Sequence, residues 1–108
     1  MTLSIAADNK SFTTAKGSWK AKQTNIAQVE IIDRLLIVRE DSYRYTGSNI
    51  YALDENLTEV WTAELHNASD IFVGLTIDGT CLSCQTWNGF KCKIDVSTGK
   101  IIDKHFTK

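Results

Sequence analysis

This sequence predicts an all-β protein of antiparallel four-stranded units in tandem. Three observations carry that expectation. No stretch of a dozen residues places apolar side chains at the i, i+3, i+4, i+7 spacing of an amphipathic helix. Short apolar or alternating runs rich in Ile, Val, Leu, Thr and Trp recur instead, separated by turn residues. The chain also matches itself when shifted. Ile26 meets Ile71, Ile32 meets Ile77 and Asp33 meets Asp78 at one offset. Past the long loop Asp41–Ser48 the offset shortens, and Leu53 meets Ile94, Asp54 meets Asp95, Val60 meets Ile101 and Trp61 meets Ile102.

The elements follow in order. A hairpin is expected near Leu3–Ala7 and Phe12–Lys22. The first unit has strands at Ile26–Ile32, Leu35–Arg39, Asn49–Leu53 and Glu59–Leu65. The second has strands at Ile71–Ile77, Thr80–Trp87, Phe90–Val96 and Lys100–Thr107. Tight turns fall at Asp33-Arg34, Asp78-Gly79, Asn88-Gly89 and Ser97-Thr98-Gly99. Asn88-Gly89 is the strongest of these, because both residues tolerate the positive φ of a two-residue hairpin. The connections are too short for crossover helices, so the sheets are antiparallel. Gly17-Ser18-Trp19-Lys20-Ala21 echoes Glu59-Val60-Trp61-Thr62-Ala63, which makes the N-terminus half a unit. The reading is one domain over residues 1–108: a half unit at 1–24, a first unit at 25–66 and a second at 67–108.

A chain of 108 residues with 43% hydrophobic and 23% charged residues has the size and make-up of one folded domain. A net charge of −1 offers no basic field for nucleic acid or an anionic membrane, and neither is expected as a partner. No apolar run reaches membrane-spanning length, and Met1–Asp8 lacks a basic start and an apolar core, so the expected location is cytoplasmic.

The stretch Asn49-Ile50-Tyr51-Ala52-Leu53-Asp54-Glu55-Asn56-Leu57-Thr58-Glu59-Val60-Trp61 resembles the outer part of a β-propeller blade, and Asp95-Val96-Ser97-Thr98-Gly99-Lys100 repeats its Asp-led turn. The likeness is to quinoprotein-like (PQQ-like) repeats and, more distantly, to WD40-type blades. It covers about residues 25–107 and implies blade-like sheets, with a small β-sandwich as the other arrangement. Closed propellers take about four to eight blades, and this chain holds about two and a half. The second unit also lacks the tryptophan. The resemblance therefore implies the blade and carries over no quinone site.

A two-residue turn at Asn88-Gly89 puts Trp87, Phe90, Gln85, Cys92, Ser83, Ile94, Cys81 and Val96 on one face, the expected core. Leu82, Cys84, Thr86, Lys91, Lys93 and Asp95 fall on the other. The equivalent core set in the first unit is Leu36, Val38, Tyr51 and Leu53, and Trp61 is expected to be buried.

Cys81-Leu82-Ser83-Cys84 has metal-binding spacing but sits in a strand, where its sulfurs point to opposite faces. The three cysteines read as free structural thiols, and no metal or cofactor is expected. His66 and His105 are isolated in sequence, with no nucleophile beside them. Asp54 and Asp95 recur at one turn as caps of its backbone amides, and Asn88 and Gly89 are turn residues. Glu40-Asp41 reads as a solvated pair. The alternating lysines Lys10, Lys16, Lys20 and Lys22 read as an edge guard against aggregation. No catalytic residue set emerges.

The loop Asp41–Ser48 interrupts a hairpin that its sister closes tightly. With Tyr43, Arg44 and Tyr45 at its tip, it is the expected contact with a partner protein or a second copy of this chain. The functional expectation is a non-catalytic protein-interaction module, a small soluble bacterial accessory or immunity-type protein that forms a homo-oligomer. The alternative is a lectin-like ligand-binding protein whose copies close a ring of blades, and an enzyme is the weaker option.

Overall fold

The computed structural model describes residues 2–107, so Met1 and Lys108 lie outside the described residues. The described residues form eleven strands and no helix. In chain order they are β1 (Leu3–Ile5), β2 (Ser11–Thr14), β3 (Gly17–Lys20), β4 (Ile26–Ile32), β5 (Leu35–Glu40), β6 (Ile50–Leu53), β7 (Glu59–Thr62), β8 (Phe72–Asp78), β9 (Cys81–Thr86), β10 (Phe90–Asp95) and β11 (Ile101–Phe106). They make three sheets, β1-β2-β3, β4-β5-β6-β7 and β8-β9-β10-β11, each an antiparallel meander. The all-β, antiparallel, tandem architecture is as the sequence predicts, and sheets of this kind are compatible with blade-like units.

The N-terminal segment differs from the expected hairpin. Ala15-Lys16 turns the chain within Phe12–Lys22, and Gly17, with φ of 139°, opens β3. The first sheet thus holds three strands. Its order corresponds to the last three strands of the other sheets. Ala21 N donates to Lys10 O as Ala63 N donates to Ile50 O, which sets Trp19 level with Trp61.

The two four-stranded sheets repeat in detail; Leu53 corresponds to Ile94 as the sequence alignment has it, while the other strands lie one residue away from it. Ile26 corresponds to Phe72 and Leu36 to Leu82, and both first hairpins carry a bulge at the same place, Ile26/Gln28 and Phe72/Gly74. A second pair of bulges, Ala52/Leu53 and Lys93/Ile94, also coincides. Trp61 therefore corresponds to Asp103 and not to Ile102.

The connection at Asn88-Gly89 is a residue longer than predicted. Lys91 pairs with Gln85, Cys92 with Cys84 and Ile94 with Leu82, which leaves Trp87-Asn88-Gly89 as the loop. Gly89 N donates to Thr86 O, and Gly89 takes φ of 93°. A slip of one residue moves every side chain of a strand to the other face. Leu82, Cys84 and Thr86 are accordingly buried, while Trp87 is exposed. The β10 assignment stands: Cys92, Ile94 and Val96 are buried and Phe90 is half-buried. The preceding turn shifts likewise, because Asp78 pairs with Cys81 and the turn residues are Gly79-Thr80.

Core formation follows from stacking. Leu36, Val38, Tyr51 and Leu53 face the first sheet and pack with Phe12 and Ile26, with Trp19 against them. Ile37, Ile50, Ala52 and Trp61 face the third sheet and pack with Phe72, Leu75, Leu82, Cys84, Cys92 and Ile94. The middle sheet is covered on both sides. That is why Leu35–Val38 and Ile50–Leu53 are continuous apolar runs. The third sheet turns polar on its far face. Positions held by Ile37, Ala52 and Trp61 in the middle sheet are Ser83, Lys93 and Asp103 there. The far face of the first sheet is polar too, with Thr13 and Ser18 bonded to each other at 3.0 Å.

Candidate interaction surface at the loop end

Each sheet joins the next at the same end of the stack, and a buried carboxylate holds each junction. Glu40, at the end of β5, is fully buried. Its Oε1 accepts from the amides of Gln23 (3.0 Å) and Thr24 (3.1 Å), and its Oε2 from that of Lys22 (2.6 Å). The Tyr51 hydroxyl also donates to Oε2, and Trp19 Nε1 donates to that hydroxyl at 2.9 Å. Burial and the Glu40 carboxylate together push the Tyr51 phenol far above its ordinary value. The expectation of a solvated Glu40 is thus overturned. A buried carboxylate is tolerated where amides and hydroxyls replace water, and here the linker from β3 supplies the amides and Tyr51 the hydroxyl.

At the next junction the carboxylate sits on the linker instead. Asp70 corresponds to Thr24, and Thr86 to Glu40. Asp70 Oδ1 accepts from the amides of Ile71 (2.8 Å) and Asn88 (3.1 Å), and Oδ2 lies 2.7 Å from His66 Nε2. Burial works to raise the Asp70 pKa, but hydrogen bonds from His66, Thr86 and the two amides outweigh it and hold the carboxyl below its usual value. His66 is therefore not isolated. Its ring packs against Phe90 with centres 4.4 Å apart and planes tilted by 49°, and Phe90 meets Phe106 edge-on at 5.3 Å.

These clamps present three connections side by side. The β1–β2 turn reaches the next sheet through Asn9 O, which accepts from Ile26 N at 2.6 Å. The β5–β6 loop does the same through Asn49. Its Nδ2 donates to Phe72 O at 2.8 Å, and its Oδ1 accepts from Phe72 N at 3.0 Å. Asp41–Ser48 is folded back on Gln23, whose side chain exchanges hydrogen bonds with Thr46 O, N and Oγ1 at 3.1 Å. Arg44 takes φ of 64° and lays its guanidinium 5.2 Å from the Tyr43 ring centre.

The predicted tip residues part company here. Tyr43 is 71% exposed and Arg44 is exposed, whereas Tyr45 is only 8% exposed. Burial, with Glu40 and Glu59 nearby, pushes the Tyr45 phenol up to about 12. Tyr45 anchors the loop while Tyr43 and Arg44 stand out from it. Beside them, on the equivalent loop of the third sheet, Trp87 is also 71% exposed, and Phe106 is 57% exposed. Sequence reasoning missed Trp87 because it assumed a two-residue turn. Its place beside Asn88-Gly89 fits a three-residue loop equally well.

The turn residues at the other end have structural partners. Asp54 Oδ1 accepts from the amides of Asn56 (2.8 Å) and Thr58 (3.0 Å), and Asp95 Oδ1 from that of Ser97 (2.8 Å). The three cysteines are free. Cys84 and Cys92 pair across strands, and Cys81 points to the far face. Burial, with Cys92 opposite, pushes the Cys84 thiol up to about 12.

Over residues 5–106 the chain matches the family described as Domain of unknown function (DUF7957). It belongs to that family. No curated protein matches this DUF7957 chain in sequence. Among solved structures it is similar to the computationally designed Ika8 protein, with a TM-score of 0.70 over 98% of this chain at 14% identity. The chain spans 33% of the length of that structure. At that identity the likeness shows a shared fold.

Proposed function

We propose that this chain is a non-catalytic protein-interaction module, an open stack of blade-like sheets that binds a partner protein through its loop end. One observation carries the reading: its two most exposed large aromatic side chains, Tyr43 and Trp87, occupy corresponding loops of neighbouring sheets. Neither helps the core, and Trp, Tyr and Arg are the residue types that dominate binding energy at interfaces. Arg44, stacked on Tyr43, adds a planar hydrogen-bonding fork. The clamps at Glu40 and Asp70 hold both loops in place, which lowers the entropy cost of binding.

The polar far faces of the end sheets weigh against the lectin-like ring, because ring closure would bury Lys93, Asp103, Thr13 and Ser18 face to face. The partner is another protein chain, a second copy included. Co-purification with the wild type and with the Tyr43→Ala/Trp87→Ala variant tests the reading. We expect the partner with the wild type alone, at unchanged folding stability within about 0.5 kcal/mol. Sedimentation identifies a second copy as the partner if the mass drops in the variant. Equal recovery of partner and equal mass for both proteins would reject the loop end.

A further inference from the structure

The first sheet has room for a strand it does not contain. In the other sheets, β4 lies outside β5 and β8 outside β9. β1 corresponds to β5, because its turn reaches Ile26 as the β5–β6 loop reaches Phe72. Its outer edge, Leu3–Ile5, unpaired among the described residues, therefore stands where a first strand would pair. First strands of neighbouring sheets face each other: Gln28 Nε2 on β4 donates to Leu75 O on β8 at 2.7 Å. Among the described residues the opposite face of β4 has no such neighbour. There Ile31 is 39% exposed, and Ile5 on β1 is 42% exposed. An open cleft of ≈ 540 Å³ lies at Ile31, lined also by Thr2, Thr14, Lys16, Arg34 and Glu55.

We infer that this slot takes an extended peptide segment of a partner protein, added antiparallel to β1 as a fourth strand. Edge backbone groups supply the hydrogen bonds of such an addition, and alternate side chains supply its selectivity. The missing strand is one strand wide, about 4.8 Å, so a single extended chain fills it flush with β4. Apolar side chains at alternate positions cover Ile31. A strand antiparallel to β1 ends its C-terminal side beside Lys16 and the Arg34–Glu55 pair, whose Nε and Oε1 lie 3.7 Å apart; Lys16 has no ion-pair partner among the described residues, so a carboxylate belongs at that end. The slot opens at the end of the stack opposite Tyr43 and Trp87, and does not depend on them.

The probe is a short synthetic peptide of alternating threonine and valine ending in aspartate, titrated into the whole chain and followed by NMR. We expect slowed amide exchange at Leu3–Ile5, binding about tenfold weaker in Ile31→Lys, and unchanged binding in Trp87→Ala. Arg34→Glu, on an exposed turn, is expected to reverse the preference between this peptide and one ending in lysine. No change at Leu3–Ile5 with millimolar peptide, or shifts confined to β11, would overturn the proposal. So would equal binding by the wild type, Ile31→Lys and Arg34→Glu. Protection of Leu3–Ile5 that appears without peptide and is lost on dilution would give the slot to a second copy and also overturn it.

Discussion

Gly99 shows how far one residue governs the stack. It takes φ of +74°, and a Cβ there would lie 2.6 Å from Trp61 Cε3. Trp61 in turn donates Nε1–H to Val96 O at 2.8 Å, so its indole is wedged under the β10–β11 turn. Gly99→Ala therefore carries two penalties, left-handed strain and overpacking, and should cost about 2–4 kcal/mol in a urea titration. Gly47 is the control. It has φ of +82° with nothing within 4 Å of a built Cβ, so Gly47→Ala should cost only the strain, about 1–2 kcal/mol. Tyr51→Phe removes a hydrogen bond to the buried Glu40 carboxylate and takes the acceptor from Trp19 Nε1. A loss of about 2–3 kcal/mol is expected, read from the same titration.

At the scale of elements, the junctions decide how stability responds to acid. Asp70 has a folded pKa below its unfolded value of about 3.9. Its contribution is complete above that unfolded value and is lost as pH falls through the folded one. Asp70→Asn should be less stable than the wild type near neutrality, and the gap should close in denaturant titrations as pH drops below about 4. A gap that stays constant across that range would show that the carboxylate charge plays no part. Strand positions were legible at this scale because alternation and turn residues are local signals. The register of β9 was not, since Trp87-Asn88-Gly89 and Asn88-Gly89 are equally good turns by composition. The buried Glu40 was hidden for another reason: its partners are linker amides, and a backbone amide leaves no mark in a sequence. The Asp70–His66 pair was closer to hand, four residues apart, but it reads as a clamp only once Thr86 and Asn88 are beside it.

For the whole molecule, two-sided burial makes the middle sheet the most stable part. Opening β5 or β6 exposes apolar surface toward both neighbours, whereas opening β11 frees an edge strand that is mostly exposed. Amide hydrogen exchange should be slowest at Ile37, Val38, Tyr51 and Ala52 and fastest in β1 and β11. Uniform protection across the three sheets would contradict this layering. The replacement of Trp61 by Asp103 in the last sheet was visible in the sequence as a missing tryptophan. Its meaning was not, because the need for a tryptophan depends on whether another sheet covers that face.

The seat of Trp61 has a consequence for how the chain comes to its shape during synthesis. The indole belongs to β7, yet the turn that receives it ends at Gly99, beyond the whole of β8, β9 and β10. Ribosomes deliver residues in order, so the middle sheet leaves the exit tunnel with one apolar face bare. It must wait for most of the last sheet before that face is covered. Nascent chains stalled just short of Gly99 should remain open to protease, and full-length chains held clear of the tunnel by an added C-terminal linker should resist it.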